Sequence, residues 1–340
     1  MRNVLLALLM LSLTSIAMAQ TVAVNPDHPD RYTVVKGDTL WDISGMFLRD
    51  PWRWPQIWKH NPEIENPHLI YPGDVIYLTY QDGKPVLSLE RGNRVVKLSP
   101  QIHKTPNSES ISSIPLELIR PFLSRSRVVS QNEIDSSGYI FITRENRLIA
   151  GTGDTVYARN LIQGDSEEYM IFRPGQAYYD PEDSDRLLGY QATYVATATL
   201  IDSADPSTLR IVDSRMEVLE GDRLLPLTSD SMPSQFTPQA PDELLEGYIV
   251  GVLNGIARIG QYQVVVLSLG DHDGVKPADI LEVWQAGAVV EDRIADEDVQ
   301  LPDTKAGIAM VFRVFDGTSY ALIMNADKEM FILDKVMTPE

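Results

Sequence analysis

The sequence predicts an α+β protein: a small βααβ module near the N-terminus, followed by mainly β domains of barrel or sandwich type. Three observations carry this. Trp41, Trp52, Trp54 and Trp58, four of the five tryptophans, fall within residues 37–62, where two short helical patterns lie between strand patterns. Beyond Val128 the helical period is lost and short apolar runs alternate with turn signals. A Gly-Asp pair feeding an apolar strand recurs, as "GDVIYL" (73–78), "GDTVYA" (153–158) and "GDRLLP" (221–226), with the variant "ADILEV" (278–283). Such turns suit small barrels and sandwiches, and their irregular spacing excludes a solenoid.

The first residues set the physical context. Arg2 precedes an apolar run from Val4 to Leu13, and Ala17-Met18-Ala19 supplies small residues ahead of Gln20. This pattern predicts a secretory signal peptide over 1–19, because the apolar run is shorter than the roughly 18–20 residues that span a bilayer. No other stretch is apolar enough to span, so the mature chain is expected to have no integral membrane segment. The 340 residues contain no cysteine, so an exported chain of this kind must rely on its cores rather than on disulfides. A bacterial periplasm is the expected location. The formal net charge of −19 argues against nucleic acid and anionic lipid as ligands. That charge is unevenly placed. Residues 31–79 hold five basic and six acidic side chains and are near neutral, so the acidity belongs to the remainder.

Within the module, "RYTVV" reads as a strand ahead of the Gly37-Asp38 turn. Asp38 or Thr39 is positioned to cap a helix. Leu40, Ile43 and Phe47 recur on one helical face. Asp50-Pro51 starts a second helix, an N-cap followed by proline, running through Trp58. Trp54, Ile57 and Trp58 share its face and are assigned to the core. Trp52 projects about 200° away from Trp54, so Trp52, like Trp41 after the first loop, is a candidate sugar platform as well as a packing residue. Asn61-Pro62 stops the helix, and "YPGDVIYLTY" closes the module with a turn and a strand.

These residues, "YTVVKGDTLWDIS" and then "IWKHNPEIENPHLIYPGDVIYL", resemble a LysM domain, a module that binds N-acetylglucosamine polymers such as peptidoglycan. The resemblance covers 31–80 and departs only between the helices, where "MFLRDPWRWP" is longer and more aromatic. It implies a ligand groove made by the first strand–helix loop and the loop before the last strand. Carried over, the groove residues are Gly37, Asp38, Thr39 and Leu40, with Asn66, Leu69, Ile70, Tyr71 and Pro72. Backbone amides, an Asx side chain and apolar patches suit an N-acetyl group on a neutral ring. Turn-making by Gly37-Asp38 and Pro72-Gly73 is compatible with that role.

Residues 81–126 read as a hairpin and then a Ser/Pro-rich linker, with a short apolar segment from Ile114 to Leu123. Two β-rich domains follow, 127–228 and 243–340, separated by a second Pro/Ser-rich stretch. "VVVLSLGDHDGVKPADILEVW" and "GIAMVFRVFDGTSYALIMNA" resemble the C-terminal domain of the flagellar assembly protein T. Together with the N-terminal module, the architecture resembles the secretin-associated proteins of type IV pilus systems, which implies an outer-membrane secretin, or another envelope protein, as partner.

No catalytic set is legible. Without cysteine there is no Cys-His peptidase. His28, His60, His68, His103 and His272 fall at no zinc-site spacing, and there is no G-x-S-x-G elbow. Gly151 to Val156 departs from G-x-G-x-x-G at its last position, Glu109 lies in a linker, and "DHDG" (271–274) lacks the rest of a calcium loop. No cofactor and no metal are expected. The sequence therefore predicts a non-enzymatic, periplasmic, peptidoglycan-binding scaffold, with a divergent cell-wall hydrolase, or an activator of one, as the alternative.

Overall fold

A computed structural model describes residues 22–58, 70–91, 112–124, 126–143, 148–162, 167–227, 236–253 and 258–339. The expected signal peptide lies outside them, as do residues 92–111 of the expected linker and 228–235 of the second Pro/Ser-rich stretch. The chain divides into two compact units, 1–111 and 112–340, and is mostly β rather than an even α+β mixture.

The first unit contains β1 (Arg31–Thr33), α1 (Leu40–Phe47), a 3-10 turn (Pro51–Arg53), α2 (Trp54–Trp58), β2 (Val75–Gln81) and β3 (Lys84–Glu90). Thr39 is the N-cap of α1. Its hydroxyl accepts from the Asp42 N–H while the Asp42 carboxylate accepts from the Thr39 N–H, a reciprocal capping box. Asp50 occupies the position before the 3-10 turn but makes no side-chain cap there; its carboxylate lies 3.8 Å from Arg53 Nε. The strands form one antiparallel sheet in the order β1-β2-β3. Asp82 and Gly83, at φ +50° and +76°, turn the chain so that β3 pairs with β2 along its whole length. Leu87 and Leu89 on β3 then join Leu40, Ile43, Phe47, Trp54, Ile57, Trp58 and Ile76 in the core.

All four clustered tryptophans are inside. Trp54 and Trp58 are 2% and 3% exposed, as their helical face requires. Trp41 and Trp52 are 4% and 6% exposed, so neither presents a ring to a sugar, and the platform reading of both is overturned. The Arg53 guanidinium stacks on the Trp52 ring, 4.8 Å from its centroid. A sheet of three short strands has little apolar surface of its own, and indole rings supply it.

The second unit opens with α3 (Leu116–Ser124), β4 (Arg127–Val129) and α4 (Gln131–Ser136). Next come β5 (Gly138–Thr143), β6 (Thr155–Arg159), β7 (Glu168–Tyr179), β8 (Leu187–Asp202), β9 (Ser207–Ser214) and β10 (Arg223–Pro226). They pair in the order β4-β8-β7-β10-β5-β6-β9, and a further β8–β9 pairing closes the ring. The long strand β8 makes closure possible: Tyr190–Ala192 pair with β4, while its far end pairs with β9. Ile140, Val156, Tyr169, Ile171, Val195 and Leu209 fill the interior.

The remaining strands are β11 (Glu246–Leu253), β12 (Arg258–Ile259), β13 (Val264–Leu267), β14 (Ile280–Gln285), β15 (Val289–Asp292), β16 (Glu297–Gln300), β17 (Thr304–Val314), β18 (Ser319–Ala326), β19 (Met330–Phe331) and β20 (Lys335–Met337). Six of them close a second barrel, β11-β13-β18-β17-β14-β20. Segment 112–126 is packed within this unit. Ile114 and Ile119 are fully buried, the Phe236 N–H donates to the Ser113 hydroxyl, and Arg313 Nη1 donates to the carbonyls of Phe122 and Ser126 at 3.1 and 2.7 Å.

One device recurs at the entries to five strands and to helix α1. An aspartate carboxylate accepts the backbone N–H three residues earlier at 2.8–3.1 Å: Val35 to Asp38, Tyr71 to Asp74, Gly151 to Asp154, Leu219 to Asp222, Lys276 to Asp279 and Phe331 to Asp334. The residue before each aspartate, Gly37, Gly73, Gly153, Gly221, Ala278 or Leu333, has φ between +77° and +105°. This is the backbone of a type II turn, which favours glycine. Burial raises the carboxyl pKa of Asp279 and Asp334.

Two expectations follow. Trp54→Ala is expected to destabilise the first unit by about 3–5 kcal/mol, read as a shift in denaturation midpoint; an unchanged midpoint would remove Trp54 from the core. At the last turn, Leu333 is 62% exposed at φ +77°, so Leu333→Gly relieves left-handed strain with little loss of packing and should raise stability by about 1 kcal/mol. Because the folded Asp334 carboxyl holds its proton above the unfolded pKa, its ionisation lowers stability as pH rises from the ordinary carboxylate range through the folded value. Asp334→Asn keeps an acceptor for the Phe331 N–H and is expected to be more stable than the parent at pH 7, the gain vanishing in acid.

Candidate functional site

The two loops that the LysM resemblance singles out are clamped side by side. The Val34 N–H donates to the Asp74 carbonyl and the Gly73 N–H to the Val34 carbonyl, both at 2.8 Å. Each loop is one of the aspartate-capped turns. In the first, Asp38 Oδ2 accepts from the Val35 N–H at 2.8 Å and from the Tyr32 hydroxyl at 2.9 Å. Burial, and then the Asp38 carboxylate, raise the Tyr32 pKa, which keeps this phenol a donor. In the second, Asp74 Oδ2 accepts from the Tyr71 N–H at 3.1 Å and from Arg91 Nη1 at 2.8 Å. The Arg91 guanidinium also stands 6.0 Å from the Tyr71 ring centroid.

The expected groove residues divide by exposure. Gly37 and Pro72 are exposed, and Asp38 and Tyr71 are half-buried. Thr39, Leu40 and Ile70 are 4%, 1% and 0% exposed: Thr39 caps α1, and Leu40 and Ile70 belong to the core, so these three support the loops from beneath and the expected ligand contact through them is not open at the surface. Asn66 and Leu69 lie outside the described residues. An added Cβ at Gly37 or Gly73 would meet nothing within 4 Å, so both turns face open space. Such a surface, with turn backbone, one carboxylate and one aromatic ring, can hydrogen-bond and pack against a neutral sugar. Tyr32 and Arg91 escaped the sequence reading. Tyr32 was read only as a strand residue. Arg91 reaches Asp74 because β3 folds back on β2, a pairing that no local spacing encodes.

Among the described residues, no group of three or more histidines, aspartates or glutamates is arranged to hold a metal ion, and no helix is long and apolar enough to cross a membrane. "DHDG" is a 3-10 turn (Asp271–Asp273) whose Asp273 carboxylate accepts the Gly270 N–H.

Comparison with known proteins defines the class of the module. The LysM domain model matches residues 32–79. LysM is a binding domain rather than a catalytic one, typical of cell-wall-associated or extracytoplasmic proteins, and its presence suggests peptidoglycan binding. A Bacillus subtilis (strain 168) protein described as "Uncharacterized protein YqbP" is 46% identical over 55 residues, a match covering 13% of this chain and 25% of that protein. The likeness thus reaches a quarter of that relative's length and is confined to a small part of this chain.

Asp38 ties Tyr32 to the first loop, so Asp38→Ala is expected to cost the first unit about 1–3 kcal/mol, for two hydrogen bonds of modest net value. Asp38→Asn, which retains an acceptor oxygen, should recover part of it. Urea midpoints of the three proteins measure this, and identical midpoints would show that the two bonds do not hold the loop.

Proposed function

We propose that the chain is a non-enzymatic scaffold of the bacterial periplasm that grips peptidoglycan through residues 31–80. Through its β-rich unit it would hold an envelope protein, an outer-membrane secretin of a type IV pilus machine. The LysM match carries the first half of this reading. The clamped loops supply its geometry: Gly37, Asp38, Tyr71 and Pro72 would meet the glycan by side chain or backbone, Thr39, Leu40 and Ile70 would hold the loops in place from beneath, and Asn66 and Leu69 would complete the groove. The second half rests on the resemblance of the C-terminal sequence to flagellar assembly protein T and on the acidity of the chain beyond the module. Export by the signal peptide at 1–19 supplies the compartment.

Residues 20–111 alone are expected to pellet with insoluble peptidoglycan, and residues 112–340 alone are not. The cut falls between the two compact units, so neither fragment divides a barrel. Because 31–79 is near neutral, pelleting should change little as salt is raised. Loss of pelleting at moderate salt would point to a charge-driven contact instead of a sugar groove. Release of soluble muropeptides by the full chain would overturn the non-enzymatic reading. For the partner, the chain lacking 31–80 should still co-purify with the secretin while 20–111 should not; the reverse result, or a different ring protein, would remove the secretin assignment and leave the glycan reading standing.

A further inference from the structure

The second barrel carries a projecting ribbon that its closure does not require. Strands β14 and β17 pair as far as Gln285 and Thr304. Beyond that point the chain continues as β15 and β16, a separate two-stranded sheet. The two strands of the neck approach very closely at Gly287: a Cβ there would lie 1.9 Å from the Leu301 carbonyl oxygen. The Gly287 N–H donates to Asp303 Oδ1 at 3.1 Å, which ties the two strands of the neck together. From Ala288 to Thr304 every residue except Asp292 is exposed, so none of the described residues buries the ribbon. Isolated ribbons of this kind are marginal.

Its side chains make it less stable still. Val290 stands opposite Val299, with Leu301 on the same face, and these are 41%, 37% and 43% exposed. Ile294, at the tip, is 99% exposed. Glu291 faces Asp298 and Asp292 faces Glu297, which places like charges directly across the strands, a destabilising arrangement. With Asp296 the ribbon has five carboxylates against one cation, Arg293.

We propose that this ribbon, residues 288–301, is a docking arm for a protein surface that is positively charged around an apolar pocket, with Ile294 as the anchor. The proposal deepens the reading of 112–340 as the protein-binding unit and rests on it. Cations on the partner would relieve the repulsion between facing carboxylates, and a pocket would cover Ile294 and the Val290–Val299–Leu301 face. A neutral glycan offers no such cations. Anionic lipid and nucleic acid are repelled, as is a second copy of a chain with a net charge of −19.

The test uses the full chain in the cells that make it, with a photo-crosslinking phenylalanine analogue at position 294 and, as control, at Leu148, which is 90% exposed in the other barrel. The expected result is an adduct at 294, absent at 148, joining one protein other than this chain through a peptide rich in Lys and Arg. The variant Glu291→Gln, Asp292→Asn, Glu297→Gln, Asp298→Asn should reduce its yield by about tenfold, since steering and pairing charges act together. The melting temperature of that variant should be unchanged or higher, because the facing charges are gone. No adduct, an adduct to another copy of the chain or to glycan, equal adducts at 148 and 294, or a yield indifferent to the four substitutions would each overturn the proposal. Wall pelleting read from the same cells reports on the glycan-binding module separately.

Discussion

The carboxylate that accepts a backbone N–H three residues behind it is the constraint on which most of this chain's architecture depends. A turn that leads into a strand or helix needs its amides satisfied and its direction fixed. Here one aspartate side chain does both at Asp38, Asp74, Asp154, Asp222, Asp279 and Asp334. The geometry demands positive φ one residue earlier, which is why glycine so often precedes the aspartate. It also draws carboxylates inward: Asp74, Asp222, Asp279 and Asp334 are all buried. Two of these have a guanidinium in addition. Arg91 meets Asp74, and Arg173 grips Asp222 with two hydrogen bonds of 2.7 and 2.9 Å. At Asp279 and Asp334 burial outweighs the hydrogen bonds from the backbone, and the carboxyl pKa rises. The candidate glycan site is a consequence of the same device. Two such turns, at Asp38 and Asp74, are laced together through Val34, and the space above their glycines is left open.

How much of this could be read from the sequence depends on how local the determinant is. Gly73-Asp74, Gly153-Asp154 and Gly221-Asp222 announce their turns because glycine marks the left-handed residue. Ala278-Asp279 was legible only by analogy, and Leu333-Asp334 carries no signal, since leucine does not advertise positive φ. The α1 face of Leu40, Ile43 and Phe47 and the burial of Trp54 and Trp58 follow from helical spacing. Trp41 and Trp52 were ambiguous because spacing tells which side chains share a face but not what covers the opposite one. Closure of each barrel rests on pairings between distant segments, β5 with β10 and β6 with β9 in the first and β11 with β20 in the second, which periodicity does not encode. The packed segment 112–126 has a linker's Ser and Pro content, and its order comes from Ile114, Ile119 and the reach of Arg313. In the site, the loops were legible as contiguous motifs, whereas Arg91 depended on a hairpin register and Thr39, Leu40 and Ile70 turned out to spend their side chains on the cap and the core.

The acidity of the chain is likewise less uniform than its net charge implies. Part of it is structural, held in turns where each carboxylate has a backbone donor and often sits out of solvent. Such groups contribute little to a surface field that could steer a partner. The ribbon beyond Gly287 is different. Asp292 caps its own turn through the Ile294 and Ala295 N–H groups, which lowers its pKa, but Glu291, Glu297 and Asp298 stand exposed, with Asp298 facing Glu291 and Glu297 facing Asp292. A barrel needing only to join β14 to β17 could do so with a short polar turn at no such cost. Exposed apolar residues and facing carboxylates on the same unsupported ribbon are two costs that one kind of surface would remove together, a cationic one with a pocket. The near-neutral module has the opposite character: the Asp38 and Asp74 carboxylates are tied into its turns, and its open face is turn backbone with one carboxylate and one aromatic ring. On the functions proposed above, the two surfaces would recognise different chemistry, sugar on one and basic protein on the other, and a chain carrying both would join a wall polymer to a protein.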